Sequence, residues 1–394
     1  MVFENIEKRL RELDLSEDEI KELLKFDSIK YSELEVDGKK YPAWRIRHNT
    51  NLGPGKGGIR FHQNVSEDEV KSLAFWMSIK NSLAGLPFGG AKGGVKVNSK
   101  ELTKEQLEKL SREYIRAFYK YLGQYTDIPA PDVNTTSEIM GWMLDEYEKL
   151  TGKKEPGMIT GKPVDMGGIE FRKDSTSKGG FIMLNEFLSK VDSGKNVVIQ
   201  GFGNAGSYVA LMLYKNGFNI IAVSDSKGAI FNKDGLDIPK VIEEKNKTKT
   251  VTTYNANKIT NKELLELDTD ILILAALENQ ITKENVNNIK AKYIVELANG
   301  PITAEADNIL YDRGIIILPD VLANSGGVVG SYFEWMQNVT GEKIEYNELE
   351  KEFEKIMKNN FNKVYNYSNE NNISMRKAAY IIAIKRILEA KKEN

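Results

Sequence analysis

The chain has 394 residues, 41% of them hydrophobic and 28% charged, and its 55 Lys and Arg stand against 57 Asp and Glu. That length and balance predict a globular protein of two domains, and a formal net charge of −2 offers no basic surface for a nucleic acid. With no cysteine and only His48 and His62 as histidines, disulfides, thiolate nucleophiles and Cys- or multi-His metal sites are not expected, so acid–base work falls to Lys, Asp, Glu or Tyr.

Met1 to Leu24 is a charged amphipathic pattern without an apolar signal core, with helical spacing from Leu10. Residues 28–35 and 41–49 alternate around Asp37-Gly38 and predict a hairpin. Two glycine-framed lysines follow, in Gly53-Pro-Gly-Lys56-Gly-Gly-Ile-Arg60 and Phe88-Gly-Gly-Ala-Lys92-Gly-Gly94. A compact cation on nearly bare backbone suits an anion grip, with the glycines expected to leave room for substrate and cofactor. Between them, Ser66 and Glu69 form a capping-box pattern for a helix to about Leu83, carrying Lys80 near its end. Helical patterns span 103–121 and 136–150, separated by Asp127-Ile-Pro-Ala-Pro-Asp132, which is too proline-rich for regular structure and predicts a rigid loop.

After Gly168 the pattern changes. Short apolar runs at 196–200, 219–224, 271–275, 293–297 and 315–318 alternate with helical stretches, the signature of a doubly wound parallel sheet. None is long enough to span a membrane, and a cytoplasmic location is expected. The first run leads into Gly201-Phe202-Gly203-Asn204-Ala205-Gly206, a helix follows, and Asp225 closes the next run. In that context G-x-G-x-x-G predicts a dinucleotide whose pyrophosphate meets the helix N-terminus. Asp225 favours NAD through the ribose 2′-OH. Ser226 and Lys227 could instead donate to a 2′-phosphate, so NAD and NADP both stay open. From about Glu348 the chain is helical, and 375–390 has an apolar face suited to docking.

The chain resembles the glutamate dehydrogenases of the Glu/Leu/Phe/Val dehydrogenase superfamily. The resemblance rests on Lys56-Gly-Gly-Ile-Arg60-Phe, Leu86-Pro-Phe-Gly-Gly-Ala-Lys92-Gly-Gly94, Asp127-Ile-Pro-Ala-Pro-Asp132-Val, Thr160-Gly-Lys-Pro163 and Asn324-Ser-Gly-Gly-Val328-Val-Gly-Ser331-Tyr-Phe-Glu-Trp335. It implies NAD(P)-dependent oxidative deamination of L-glutamate to 2-oxoglutarate and ammonium, and the reverse amination. It also implies an α/β fold of a substrate-binding and oligomerisation domain (1–168), a Rossmann-type dinucleotide domain (169–365) and a C-terminal helical segment (366–394) packing back on the first domain, assembled as a homohexamer. By position, Lys92 is implied as the catalytic lysine and Asp132 as the catalytic carboxylate. Lys80 is the implied partner of the substrate α-carboxylate. Lys56 and Ser331 would bind its side-chain carboxylate, Ala130 and Val328 would line that pocket, and Asn324 would contact the amino group. Thr176 and Asn299 would hold the nicotinamide end, with Ala276 among the other cofactor contacts. The expected Ala-Thr-Gly-Arg-Gly segment reads Ser175-Thr176-Ser-Lys178-Gly179 here, and Gln63 stands where a proline often follows the histidine.

The chemistry suits these residue types. An isolated Lys, with a pKa of about 10.4, is too protonated to act as a base near neutrality. Burial and crowding among Lys56, Lys80 and Lys92 are expected to favour the neutral form of Lys92. Arg60 is expected to support its loop, and His48 and His62 to be structural. A catalytically silent dinucleotide sensor is the alternative from another class.

Overall fold

The structure is a computed structural model and describes residues 4–393. Contacts divide the chain into two units, one running up to Arg172 and including Val328–Leu349 and the chain from Tyr380, the other holding Lys173–Gly327 and Glu350–Ala379.

In the first unit, helices α1 (Glu4–Arg11) and α2 (Glu17–Leu23) precede the hairpin of β1 (Ser28–Val36) and β2 (Lys39–Asn49). Asp37 and Gly38 at its tip have φ of 50° and 77°, the left-handed pair that matches the twist of the strands. Then come β3 (Gly55–Lys56), β4 (Ile59–His62), α3 (Glu67–Leu83), β5 (Gly90–Lys96), α4 (Lys104–Phe118), β6 (Asp127–Ile128) and α5 (Ser137–Thr151). Strands β1-β2-β5-β4 form a sheet in that order. Along α4, Leu110, Tyr114, Ile115 and Phe118 recur at helical spacing and are buried with Leu34, Ile59, Phe61 and Val95 of the sheet and Met140 and Met143 of α5. Burying each large side chain contributes about 1.5–3 kcal/mol. The segment from Asp127 is not wholly irregular, because β6 pairs in parallel with β3. Proline removes only an N–H, and the carbonyls of Ile128 and Ala130 still accept from Gly57 and Ile59 at 3.3 and 2.9 Å.

In the second unit, α6 (Ser175–Leu188), β7 (Asn196–Gln200), α7 (Asn204–Lys215), β8 (Asn219–Asp225), β9 (Gly228–Phe231), α8 (Ile238–Thr248), β10 (Asn257–Ile259) and α9 (Asn261–Leu265) are followed by β11 (Ile271–Leu274), β12 (Tyr293–Glu296), α10 (Ala304–Asp312), β13 (Ile316–Leu318) and α11 (Asp320–Ala323). The sheet order is β10-β9-β8-β7-β11-β12-β13. Five strands are parallel as expected, but β9 and β10 are antiparallel additions at one edge. The two residues between β8 and β9 cannot make a parallel crossover, which needs about a dozen residues. These strands escape the sequence pattern because they are only four and three residues long.

The chain ends in α12 (Gly326–Thr340), α13 (Tyr346–Asn371) and α14 (Met375–Glu393). The end of α14 is tied into the first unit: Ser82 Oγ donates to Ala383 O at 2.7 Å, and Arg386 donates to the carbonyls of Ser82 and Leu86. The first unit also claims 328–349, a return inside the span expected for the dinucleotide domain. Among the described residues no helix is long and apolar enough to cross a membrane.

Candidate active site

The first unit brings Lys56, Lys92, Ala130 and Asp132 onto adjoining backbone. Lys56 lies opposite Ile128 in the β3–β6 ladder, and Lys92 sits on β5, whose next residue, Gly93, pairs with Ile59. Arg45 of β2 is buried against Asp127, and its NH1 donates to Gly57 O at 3.0 Å, which fixes one loop to the other. The framing glycines are explained by this packing rather than by room for ligands. A Cβ at Gly57 would lie 1.7 Å from Ala91 O, and one at Gly58 2.6 Å from Pro131 O and 2.8 Å from Asp132 Cβ. Only glycine lets the backbones approach this closely.

Lys92 Nζ donates to Asp132 Oδ1 at 3.0 Å, while Arg60 Nε donates to Oδ2 at 2.8 Å and Arg60 NH1 to Glu69 Oε1 at 2.6 Å. Thr135 Oγ1 accepts from the Asp132 N–H at 2.7 Å. Burial pushes the Lys92 ammonium below its ordinary pKa; Asp132 opposes that, and Arg60 and Arg45 reinforce it. The expected crowding of Lys92 by Lys56 and Lys80 is replaced by crowding from arginines. Burial alone would raise the Asp132 carboxyl, but Lys92 and Arg60 outweigh it and hold it below the usual carboxylate range.

Lys56 is 2% exposed, and among the described residues its ammonium has no hydrogen-bond or ion-pair partner. Burial drives its pKa well down, reinforced by Arg172 and opposed by Glu334. Glu334 lies on α12 with Val328 and Ser331, the three spaced three residues apart along the helix. Its carboxylate accepts from Lys162 Nζ, Gly161 N–H and Arg172 NH1 at 2.9–3.1 Å. Helix α12 is seated by Phe88 against Trp335 (5.1 Å between ring centres) and by Trp335 Nε1 on Gln124 O at 2.8 Å. Lys80 lies in the last turn of α3, and its neighbour Asn81 donates to Gly89 O at 2.6 Å and Lys56 O at 3.5 Å.

The second unit arranges its candidates at the carboxyl ends of neighbouring parallel strands. Gly201 follows β7, Asp225 ends β8 and Ala276 lies just past β11, so the three meet where the strand order reverses, the usual place for a nucleotide in such sheets. A Cβ on Gly206 would lie 1.8 Å from Gly201 O, whereas one on Gly203 would meet nothing within 4 Å. The first is sealed by helix–strand packing; the second is open. The first-turn N–H groups of Asn204, Ala205 and Gly206 have no intrahelical acceptor, so the loop fits a pyrophosphate. Asp225 is more engaged than a ribose-binding carboxylate need be. Its Oδ1 accepts from Lys227 N–H and Thr250 Oγ1, and its Oδ2 from Val251 N–H. Ser226 is exposed beside it, and Phe202, within the loop, is buried. Thr176 lies in the first turn of α6, and Asn299, beyond β12, accepts from Asn324 Nδ2 at 3.0 Å.

Two family models match the chain: Glutamate/Leucine/Phenylalanine/Valine dehydrogenase over residues 167–394, and the Glu/Leu/Phe/Val dehydrogenase dimerisation domain over 29–149. The chain belongs to the Glu/Leu/Phe/Val dehydrogenase family. Among similar members are a cryptic catabolic NAD-specific glutamate dehydrogenase of Bacillus subtilis, 45% identical over 94% of this chain and 89% of its own, and an NADP-specific glutamate dehydrogenase of Synechocystis, 46% identical over 89% and 85%. Among solved structures, a hetero-hexameric glutamate dehydrogenase of Thermus thermophilus matches with a TM-score of 0.91 at 30% identity, covering 98% of this chain and 94% of that one. The glutamate dehydrogenase of Peptoniphilus asaccharolyticus matches at 0.87 and 37%, covering 99% and 98%.

Within this dehydrogenase fold several residues bear on the candidates although motif spacing gives them no site role. Arg60, expected only to support its loop, also holds Asp132. Glu334 and Arg172 set the field at Lys56. Lys245 of α8 donates to Phe202 O in the glycine loop, 43 positions away. Their signal lies in through-space contact and not in spacing.

Proposed function

We propose that this protein is an NAD(P)-dependent glutamate dehydrogenase, converting L-glutamate to 2-oxoglutarate and ammonium and running the reverse amination. Buried Lys56 carries the reading. Its ammonium has no partner carboxylate within the described chain, and a substrate with a second carboxylate supplies one. An apolar amino acid would leave that cation unpaired, at a cost of at least about 1–3 kcal/mol.

A bound NAD(P) would supply the acceptor for the hydride on Cα of the substrate. In our reading Lys80 holds the α-carboxylate and Lys56 with Ser331 the distal one, between Ala130 and Val328. Asn324 orients the amino group. Loss of hydride leaves an iminium. Neutral Lys92 takes a proton from the water that attacks it, and Asp132 gives the departing nitrogen the proton that it took from the substrate ammonium before hydride was lost. The braced 127–132 segment keeps Asp132 in place for that transfer. Residues 201–206, Asp225, Ser226, Ala276, Thr176 and Asn299 would hold NAD or NADP, since relatives are named for each. A cytoplasmic homohexamer acting on small molecules, without nucleic-acid or membrane partners, fits a family that includes a hexameric member.

Absorbance of reduced cofactor tests this directly, with glutamate, leucine and phenylalanine each offered with NAD and with NADP. Glutamate is expected to dominate. A leucine preference would overturn the assignment of Lys56, and no turnover with any of the three would favour a silent dinucleotide sensor.

A further inference from the structure

Three carboxylates and one arginine without any role above are gathered in the second unit. Arg376 donates from NH2 to Glu296 Oε1 at 2.8 Å, from NH1 to Asp320 Oδ1 at 3.2 Å and from Nε to Asp307 Oδ1 at 3.0 Å. None of these side chains is more than 13% exposed. Burying three anions on one cation is costly, and apolar packing would do as well for stability alone.

The remaining bonds of the cluster give it a direction. Glu296 Oε2 accepts from the Asp320 N–H, and Asp320 Oδ2 accepts from the Gly300 N–H, both at 2.8 Å. Gly300 follows Asn299. At the other end of the single-turn α11, Asn324 Nδ2 donates to Asn299 Oδ1 at 3.0 Å and Leu297 O at 3.3 Å. Helix α11 therefore grips the 297–300 loop from both ends, and Arg376 anchors the acidic end.

We propose that Asp320, held by Arg376 and Glu296, is a positioning residue for the nicotinamide end of the cofactor, acting through Gly300 on Asn299. This rests on the reading of Asn299 as a nicotinamide contact. The glycine loop after β7 is held by other bonds, among them Gly201 N–H to Ser224 Oγ at 3.2 Å. Losing the Asp320 contact therefore disturbs one end of the dinucleotide and spares the other.

Binding of NADH and NADPH, and of ADP-ribose as a probe without nicotinamide, to full-length Asp320→Ala and Asp320→Asn tests the proposal. In Asp320→Ala the preferred reduced cofactor is expected to weaken about tenfold while ADP-ribose changes by less than about twofold. Turnover should fall with KM for glutamate nearly constant. Asp320→Asn should recover most of the binding, because its amide oxygen still accepts from Gly300 and one fewer anion is buried. Should Asp320→Ala fail to fold, the isosteric Glu296→Gln is expected to weaken the reduced cofactor selectively in the same sense. Equal weakening of both ligands, or reduced cofactor bound as in wild type, would overturn the proposal. These binding ratios do not depend on the substrate, so a wild-type enzyme inactive on glutamate would sink the proposed function and leave them standing.

Discussion

Arg60 Nε lies 2.8 Å from Oδ2 of Asp132, the oxygen that Lys92 does not take. The guanidinium both holds the carboxylate as an anion and opposes protonation of Lys92. Replacing it in Arg60→Met should raise both pKa values, since a cation is removed from each. The acid limb of the kcat/KM profile would move to higher pH, and activity at pH 7 should fall about tenfold or more. A profile superimposable on wild type would dismiss this role.

Lys92→Ala leaves Asp132 its partner Arg60, so the fold should persist. Loss of a general base is worth about 10²–10⁴ in rate. Turnover is expected to fall by about that much while the Kd for the reduced dinucleotide, measured by fluorescence, stays within about twofold of wild type. Near-wild-type turnover would remove Lys92 from catalysis.

At Lys56 activity and stability should part. Its folded pKa is depressed by burial, so the unfolded chain binds more protons and stability is lost as pH falls. Lys56→Met removes that penalty and should stabilise the fold by about 1 kcal/mol or more at pH 7. For glutamate, kcat/KM should drop about 100-fold, the equivalent of about 2.7 kcal/mol. Thermal unfolding and initial rates check the two halves, and a destabilised variant with intact glutamate kinetics would contradict both.

His48 is buried between Phe26 and Phe75, with ring centres 5.2 and 5.0 Å away. Leu23 O, 2.6 Å from Nε2, can only accept, so Nε2 carries the proton and Nδ1, 2.8 Å away, accepts from Ser78 Oγ. Burial pushes its pKa from 6.5 down to about 4. Between those values the unfolded chain takes up a proton that the folded chain refuses, so stability declines as pH falls through this window, by up to about 1.4 kcal/mol per pH unit. Urea unfolding at pH 7.5 and pH 5 should show His48→Gln losing about 2 kcal/mol less than wild type. Parallel losses in the two proteins would assign the acid sensitivity elsewhere.

The hairpin at Asp37-Gly38, the capped helix after Ser66, the five parallel strands and the glycine loop at 201–206 were all legible in the sequence. Each is dictated by neighbours within a few residues: a left-handed turn pair, a side-chain cap, a β-branched run, or glycines where strand meets helix. Strands β9 and β10, antiparallel additions at one side of that sheet, were not, because each is too short to show a pattern and is held by its pairing. The lysines at 56, 80 and 92 and the carboxylate at 132 were legible as residue types suited to deamination. What holds them was not. Arg60 on Asp132, Glu334 and Arg172 around Lys56, and Arg376 on its three acids join positions up to 278 residues apart. The sequence by itself determined which elements form and which chemical groups are on hand. Only the tertiary structure decided which lysine loses its water, which cation faces it and which glycines are sealed by backbone, because desolvation and Coulomb energy depend on distance through space and not along the chain.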